Sequence, residues 1–312
     1  MEKGKPCLSV ILPVYNAEKF LCDALDSLCT QTFADFELIA VNDGSTDSSQ
    51  QILARYSDQD DRIKVINQEN HGLIYALNKA CHDATTPYLV RMDADDICLP
   101  ERFEKQLTYM EQHPECVALG GRVTLIDDEG YKIMDMGTHL THEEIDREHI
   151  HGRGGAIIHP AAIIRTEAWK KIGGYQKEFK HAEDLDLFLR LAEVGELANL
   201  DTLVLYYRQH LESVGYSHRE AQFLLAQKAV RAAVERRKLK IAYHMQMKPK
   251  KNVTAKDSYL KWAWWAYGAD NHKTANKYAL RTLLASALSA TSWRLVMVLL
   301  RDSFKRKFSF RR

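Results

Sequence analysis

The sequence predicts an α/β fold with a mostly parallel sheet, helices on both faces and a C-terminal helical extension. In residues 1–215, short β-rich runs alternate with segments of helical period, which is the pattern of β-α-β units. From residue 216 on, every segment has helical period. At 312 residues and 46% apolar composition, the chain can form one large domain, 1–215, with an appendage, 216–312.

The first β-α-β units follow one another without long interruptions. Buried strands are predicted at 7–14, 36–43, 62–68 and 87–93. Asn16 is placed to cap the first helix, which is predicted to end near Cys29. In an open α/β sheet, ligands bind beyond the carboxyl ends of the strands, and Asp43 and the acidic run at 93–96 fall at such ends.

The elements after Pro100 are less regular. A helix to about Gln112, a strand at 116–127 with a Gly-Gly bend, a loop-rich region at 138–180, a helix at about 182–194 and a strand at 201–208 are predicted. The C-terminal part is predicted to form helices at 218–245, 255–270, 271–290 and 292–310.

Charge also divides the chain near residue 215. Residues 1–215 carry 21 Lys and Arg against 37 Asp and Glu, whereas residues 216–312 carry 22 against 5. The six cysteines form no C-x-x-C pair, so we expect reduced thiols. Neither a signal peptide nor an uninterrupted stretch of 18 apolar residues is found, and we expect a cytoplasmic protein.

Three carboxylates lie at the end of the fourth predicted strand, in "RMDADD". Carboxylates two residues apart at the end of a strand project to one side, so Asp93 and Asp95 can share a hard cation with Asp96 nearby. Mg²⁺ or Mn²⁺ held in this way completes its shell with water and substrate phosphates. The alternative is a polar turn before Pro100.

Six segments together resemble the inverting family-two nucleotide-sugar glycosyltransferases of the Rossmann-like GT-A fold. They are "SVILPVYNAEKFL", "LIAVNDGSTDSS", "MDADD", "GGY", "EDLDLFLRL" and "YRQHLESVG", in that order. The resemblance covers about residues 6–215 and leaves the C-terminal helices uncovered. It implies transfer of a sugar from a UDP-sugar to a glycan or lipid-linked glycan, in the biosynthesis of a bacterial surface polysaccharide, lipopolysaccharide or capsule.

The resemblance assigns a donor site. The Asp43 carboxylate would accept a hydrogen bond from the uracil N3–H, the Tyr15 ring would bracket the base, and Asp93 would lie near the ribose. A turn residue before Gly44 is the alternative for Asp43. The residues expected at the donor are Pro13, Val14, Tyr15, Asn16, Glu18, Asp43, Asn70, Gly72, Asp93, Ala94 and Arg208.

The resemblance also assigns the metal and the base. Asp95, in a D-x-D pattern, and His210 are expected to bind Mn²⁺ or Mg²⁺. Asp184 is expected to take the proton of the acceptor hydroxyl, with Glu183 in support. Acidic residues in a first helical turn are also favoured by the helix dipole alone, which is the structural alternative.

The basic C-terminal region suits an anionic membrane surface, because it interleaves Lys and Arg with Trp and Phe. This predicts peripheral attachment to the inner face of the cell membrane. A packed helical extension and a homo-oligomer interface are the alternatives. No nucleic-acid-binding module is recognised, and nucleic acid is not expected as a partner.

Two other functions remain open from the sequence. One is a catalytically silent module that binds a nucleotide-sugar or a membrane, and the other is a nucleotidyltransferase of similar fold. A Gly-rich "G-G-x-G-T-R-L" phosphate loop, typical of the latter, is missing after the first strand. A Q-x-x-R-W motif, typical of processive synthases, is missing too, so addition of a single sugar is expected.

Overall fold

The computed structural model describes residues 6–211, 219–240, 254–286 and 289–309. Some predicted features therefore lie partly outside the described residues, namely the end of the motif at 207–215 and parts of the C-terminal helices. The chain forms two compact units. The first comprises Met1–Val123, Gly137–Tyr207 and Glu220–Lys248, and the second comprises Thr124–Met136, Arg208–Arg219 and Pro249–Arg312.

These units do not follow the division at residue 215 that composition suggests. The hairpin segment Thr124–Met136 groups with the C-terminal helices, and Glu220–Lys248 groups with the sheet. The domain boundary between 1–215 and 216–312 stays a prediction.

The strands and helices up to residue 208 run as follows: β1 (Leu8–Val14), α1 (Leu21–Cys29), β2 (Phe36–Asp43), α2 (Ser49–Ser57), β3 (Ile63–Gln68), α3 (Leu73–Asp83), β4 (Tyr88–Arg91), β5 (Ile97–Cys98), α4 (Arg102–Gln112), β6 (Cys116–Ile126), β7 (Lys132–Met136), α5 (His142–Ile150), β8 (Ile163–Arg165), α6 (Thr166–Lys171), α7 (Glu183–Leu191) and β9 (Glu196–Arg208). The later helices are α8 (Arg219–Arg236), α9 (Ala255–Gly268), α10 (His272–Ala285) and α11 (Ala290–Ser309). The sheet order is β3-β2-β1-β4-β8-β6-β9-β5, and β7 pairs with β6.

The first four strands form the predicted parallel part of the sheet. β1 pairs in parallel with β2 and β4, and β2 pairs in parallel with β3. Every residue of β1 and β2 is buried. Because successive side chains of a strand point to opposite faces, both faces of this part of the sheet are covered. The predicted α/β class is confirmed.

Antiparallel pairs follow beyond these strands, so the sheet as a whole is mixed. β8 pairs antiparallel with both β4 and β6, through Leu89↔Ile164 and Leu119↔Ile163, and β5 pairs antiparallel with β9. The region 138–180, predicted as loop-rich, in fact contains α5, β8 and α6. Most of the region lies outside these three elements, as predicted. β8 was missed because it has three residues and no readable period, and its neighbours lie far away in sequence.

The Gly-Gly pair in β6 does not interrupt the strand, which runs from Cys116 to Ile126. A Cβ atom on Gly120 would lie 2.1 Å from the Asn199 side-chain oxygen, and one on Gly121 would lie 2.8 Å from a methyl of Val204. The glycines therefore permit close approach of β9, and the predicted bend stays a prediction.

One face of the sheet carries a large apolar core to which α3, α6 and α7 contribute Leu77, Trp169 and Phe188. A separate cluster joins α8 to α7, with Val230 packed in the same group as Leu185. Arg236 and Arg237 at the end of α8 form ion pairs with Glu193 and Asp146. The first helix of the predicted extension is thus part of the first unit.

The helices α9, α10 and α11 of the second unit confirm the predicted helical character of the C-terminal region within the described residues. α10 docks on the turn of the β6–β7 segment, where the buried Asp127 carboxylate accepts hydrogen bonds from Lys277 (2.6 Å) and Tyr278 (3.0 Å). Among the helices that the structure describes, none combines the length and apolar character of a membrane span.

Candidate active site

The three carboxylates after β4 lie together. One oxygen from each of Asp93, Asp95 and Asp96 falls within 4.8 Å of the others. Asp96 is fully buried, whereas Asp93 and Asp95 are half-buried. Oxygens that share a Mg²⁺ or Mn²⁺ ion lie about 3–4 Å apart, and both ions favour oxygen ligands. The residues present therefore fit a divalent cation.

The acidic cluster creates a strong local negative field. This field acts on Tyr207 of β9. Burial raises the pKa of the Tyr207 phenol, and the carboxylates of Asp96, Asp93 and Asp95 raise it further. β9 reaches this place because β5 pairs with it, with Ile97 opposite Tyr206. A cation or a cationic ligand group at the cluster would offset this field.

A second pair of carboxylates opens α7. Burial, and then the neighbouring Asp184 carboxylate, raise the pKa of Glu183 to about 7. Burial also raises the pKa of Asp184, and Asp93 acts in the same direction, while the Arg91 guanidinium lowers it. The two acidic motifs, about ninety residues apart in sequence, therefore lie within electrostatic reach of each other. Such perturbed carboxylates are typical of functional sites.

Arg91, for which the sequence predicted no role, interacts with both acidic motifs. It is the last residue of β4, is 4% exposed and forms an ion pair with Asp93. It also lowers the pKa of Glu183 and of Asp184. A charged residue in the otherwise apolar run "PYLVRM" was the signal that could have identified it, because a buried arginine needs a carboxylate partner.

The "GGY" motif contributes Tyr175 to the surroundings of Arg91. The Tyr175 hydroxyl lies 2.8 Å from Nε2 of His159, and the Asn78 side chain makes two hydrogen bonds with the Tyr175 backbone, of 2.8 and 3.0 Å. Burial, and then Arg91, hold the pKa of His159 well below its usual value, so the ring is neutral. Asn78 thus fixes the motif, and Tyr175 lines the same small cavity as Arg91.

At the end of β2, Asp43 is 3% exposed and binds the loop before α3. Its Oδ1 accepts hydrogen bonds from the Gln68 side chain (2.7 Å) and the His71 amide (2.9 Å), and its Oδ2 accepts one from the Gly72 amide (2.8 Å). A carboxylate offers about four acceptor sites, so about one remains for a base N–H. The predicted contact with uracil stays a prediction.

Gly44 explains why this loop lies so close. Its φ is +71°, and a Cβ atom there would lie 2.6 Å from the Asn70 amide nitrogen. Asp43, Asn70 and Gly72, three of the predicted donor residues, are therefore neighbours.

The residues at the end of β1 and just after it are the other predicted donor residues. Pro13 and Val14 are buried at the end of the strand, and Tyr15 is 54% exposed, as a ring that stacks on a ligand must be. The predicted cap at Asn16 was wrong, because α1 begins only at Leu21. Asn16 instead has a φ of +48°.

Loop 45–48 is hydrogen-bonded to the residues that follow β1. The Asn16 side-chain oxygen accepts a hydrogen bond from the Thr46 amide (2.8 Å), and the Glu18 carboxylate accepts one from the Ser48 amide (2.9 Å). Both side chains thus join the ends of β1 and β2. Their contact with a donor stays a prediction.

The last predicted residues are placed as follows. Ala94 is buried within the acidic motif. Arg208 ends β9, is buried and lies 3.4 Å from the Asp128 carbonyl oxygen, and His210 follows two residues later and is half-buried. Arg208 and His210 belong to the second unit, and their roles in diphosphate and metal binding stay predictions.

Comparison with known families decides the identity. The sequence model of "Glycosyl transferase family 2" matches residues 9–173, which is more than half of the chain. The chain belongs to this family. The resemblance read from the six motifs and the predicted glycosyltransferase class are confirmed.

Several curated relatives are glycosyltransferases by name. Putative glycosyltransferase EpsE of Bacillus subtilis (strain 168) is 32% identical over 194 residues, which are 61% of this chain and 68% of EpsE. Amylovoran biosynthesis glycosyltransferase AmsE of Erwinia amylovora is 34% identical over 204 residues, 64% of this chain and 75% of AmsE. O-antigen biosynthesis glycosyltransferase WbnJ of Escherichia coli is 33% identical over 210 residues, 66% of this chain and 81% of WbnJ.

Solved structures confirm the GT-A fold. Residues 1–349 of S. aureus TarS, in a complex with UDP-GlcNAc, match with a TM-score of 0.59 and 18% identity over 95% of this chain and 80% of that one. Mannosyltransferase PcManGT from Pyrobaculum calidifontis matches with a TM-score of 0.54 and 15% identity over 99% and 84% of the two chains.

The two glycines of the "GGY" motif allow a test of how tightly the motif packs in this glycosyltransferase. Both have positive φ, but a Cβ on Gly174 would lie 2.7 Å from the Trp169 ring and one on Gly173 would meet nothing within 4 Å. Gly173→Ala should lower the free energy of unfolding by about 1–2 kcal/mol, from backbone strain alone. Gly174→Ala should lower it by about 2–5 kcal/mol, because overpacking is added. Urea unfolding measures both, and equal losses would contradict the packing argument.

Proposed function

We propose that this glycosyltransferase moves one sugar at a time from a UDP-sugar to a glycan or lipid-linked glycan acceptor, with inversion at the anomeric carbon and with a divalent cation. The observation that carries the proposal is the convergence of two acidic motifs. Asp93–Asp96 and Glu183–Asp184 lie within electrostatic reach of each other, with buried Arg91 paired to the first and acting on the second.

The first motif is the proposed cation site. Asp95 offers a half-buried carboxylate next to Asp93 and Asp96, and His210 is kept as a further candidate ligand. When bound, Mn²⁺ or Mg²⁺ would offset the charge of the donor diphosphate and stabilise the leaving nucleoside diphosphate. The Pyrobaculum calidifontis neighbour, which shares the fold, is a complex with GDP-Man and Mn²⁺.

The second motif supplies the proposed base. The Asp184 carboxylate takes the proton of the acceptor hydroxyl while that oxygen attacks the anomeric carbon opposite the leaving diphosphate. Its Oδ1 accepts a hydrogen bond from the Leu185 amide (2.7 Å), which fixes the carboxyl group at the start of α7. Glu183 lies beside it, and Arg91 favours the ionised form that a base requires.

The donor is proposed to lie across the ends of β1 and β2. The exposed Tyr15 ring can cover one face of the base, and Asp43 can accept its N3–H. The preference for UDP rests on Asp43 and on the TarS complexes with UDP and UDP-GlcNAc. Arg208, at the end of β9, is the candidate for a diphosphate contact.

The names of the relatives support a pathway class. AmsE and WbnJ are named for amylovoran and O-antigen biosynthesis, so we place this enzyme in the synthesis of a surface polysaccharide, lipopolysaccharide or capsule. A lipid-linked acceptor would be reached at the inner face of the cell membrane. The basic region 216–312 is proposed to bring the enzyme to that surface.

One experiment tests the reaction as a whole. Wild-type protein is incubated with a panel of UDP-, GDP- and dTDP-sugars in Mn²⁺, Mg²⁺ or EDTA, and hydrolysis and the anomeric form of the first product are followed by proton NMR. We expect turnover of a UDP-sugar, loss of turnover in EDTA, and a first product of inverted configuration. Asp61→Asn, which changes an exposed carboxylate before β3, should behave as the wild type.

Other results would redirect the proposal. Retained configuration would overturn inversion, and equal turnover in EDTA would overturn metal dependence. Binding of a donor without any turnover, even with crude lipid and glycan acceptors, would favour a silent binding module. Formation of a nucleotide-sugar from a sugar phosphate would favour a nucleotidyltransferase.

A further inference from the structure

The described side chains of helix α11, at 290–301, form two stripes, of which one is buried and the other is exposed and apolar. Ser292, Leu295 and Leu299 form the buried stripe. Trp293, Met297 and Leu300, at spacings of four and three residues, form the other stripe and are 52%, 62% and 54% exposed. A helix that only packs against its own unit needs a single apolar stripe, so the second one requires a separate explanation.

The adjacent helix α10 repeats this feature. Its Thr274, Tyr278 and Thr282 are buried, whereas Leu280 and Leu284, four residues apart, are 58% and 79% exposed. Exposed leucines on successive turns of the same helix share a face. We call Leu280, Leu284, Trp293, Met297 and Leu300 the apolar surface set.

The charge around this set is mainly positive. Residues 271–301 contain no Asp or Glu, although Asp270 and Asp302 border them. Their basic residues are Lys273, Lys277, Arg281, Arg294 and Arg301. Lys277 and Arg281 form ion pairs with Asp127 and Glu129, but Arg294 and Arg301 are exposed on α11 beside the second stripe. The sequence that follows, "KRKFSFRR" at 305–312, adds five more basic residues.

The occupant of this surface must therefore be both apolar and anionic. A second copy of the chain would bring an equally basic surface against the first, and like charges oppose such a contact. A nucleic acid would meet the charges but leave five large apolar side chains in water. An anionic bilayer meets both requirements, because apolar side chains enter the boundary of the acyl chains while Lys and Arg meet lipid phosphates.

We infer that α10 and α11 lie on an anionic lipid bilayer through the apolar surface set, with Arg294 and Arg301 at the headgroups. The inference rests on the membrane association proposed above and gives it a defined surface. It also fits the finding that none of the described helices is suited to span a membrane, since α11 interrupts its apolar residues with arginines.

The test uses the full chain and vesicles of phosphatidylcholine with or without phosphatidylglycerol, in a cosedimentation assay. The apolar variant is Trp293→Ser with Met297→Gln and Leu300→Gln. Its matched control is Leu224→Gln on α8, a helix of the first unit, where Leu224 is 56% exposed. Because all four side chains are exposed, the variants should fold, which circular dichroism and donor hydrolysis check.

We expect the wild type to bind only the anionic vesicles. The apolar variant should bind at least about tenfold more weakly. Arg294→Gln with Arg301→Gln should weaken binding about tenfold or more, since each basic residue near the surface contributes about 1 kcal/mol. Leu224→Gln should bind as the wild type. Lipids with brominated acyl chains should quench part of the tryptophan fluorescence, and Trp293→Phe should remove most of that quenching.

The contrary outcomes are separable. If the wild type binds neither kind of vesicle, both the surface and the proposed membrane association are overturned. If the wild type binds and the apolar variant binds equally well, the surface is overturned and the association stands. If the apolar variant changes the molar mass in light scattering but not the vesicle binding, the surface is an interface between copies. Donor hydrolysis is measured alongside, so failure of the catalytic proposal is seen independently.

Discussion

Replacing Asp184 with asparagine should lower the rate of sugar transfer by about 10²–10⁴-fold, which is the usual contribution of a positioned general base. The asparagine oxygen can still accept the hydrogen bond from the Leu185 amide, so the start of α7 keeps its geometry. The affinity for UDP should stay within about threefold of the wild type, since the base acts on the acceptor and not on the nucleotide. Stopped transfer assays and calorimetric titration of UDP measure the two quantities.

The matched control is Glu183→Gln, one residue away and buried. It should lower the rate far less than Asp184→Asn, because Glu183 supports the site and does not take the proton. Equal losses in the two variants would contradict the assignment of the base. A loss of UDP binding in Asp184→Asn as large as its loss of rate would contradict the division of roles between the two motifs.

The pH dependence of the same two proteins sharpens this test. Burial and the neighbouring Asp184 raise the pKa of Glu183 to about 7, so the pair holds a proton near neutral pH. A base acts in its ionised form, so the wild-type rate should rise with pH through about 7. Glu183→Gln removes the like charge that opposes ionisation of Asp184, and the rise should therefore move to lower pH. An unmoved profile would show that the rate-determining ionisation lies elsewhere.

The sequence predicted best those strands whose own residues form an apolar run. β1, β2 and β4 are mainly apolar runs of four to eight residues, and the candidate site residues Asp43 and Asp93 lie at the end of β2 and two residues beyond β4. Because parallel strands end at the same edge of a sheet, the pattern alone located the candidate site there. The helices α9, α10 and α11 were equally readable from their period.

The parts that the sequence did not reveal depend on contacts between distant residues. β8 exists because β4 and β6 flank it, and three residues carry no period of their own. α5 could have been found, since Thr141 and Glu144 form a capping box that the sequence displays. The link that Arg91 makes between the two acidic motifs could not, because it depends on where α7 packs.

Replacing Asp95 with asparagine should have opposite effects on UDP binding in the presence and absence of a divalent cation. In Mn²⁺, the affinity should fall by about 10–100-fold, because a charged ligand of the ion is lost. In EDTA, the affinity should rise slightly above that of the wild type, because one of three clustered carboxylates that repel the diphosphate is gone. Asp95 is a better position for this test than Asp96, whose burial makes any substitution a test of folding as well.

The measurement is a calorimetric titration of UDP into wild type, Asp95→Asn and the exposed control Asp61→Asn, each with Mn²⁺ and with EDTA. The quantity that decides is the ratio of the two affinities for each protein. A ratio near one for Asp95→Asn, with a large ratio for the wild type and the control, means that this carboxylate couples the cation to the diphosphate. A large ratio in all three proteins would mean that the cation binds without Asp95. A ratio near one in all three would remove the cation from the proposed reaction and leave the acidic cluster with a structural role.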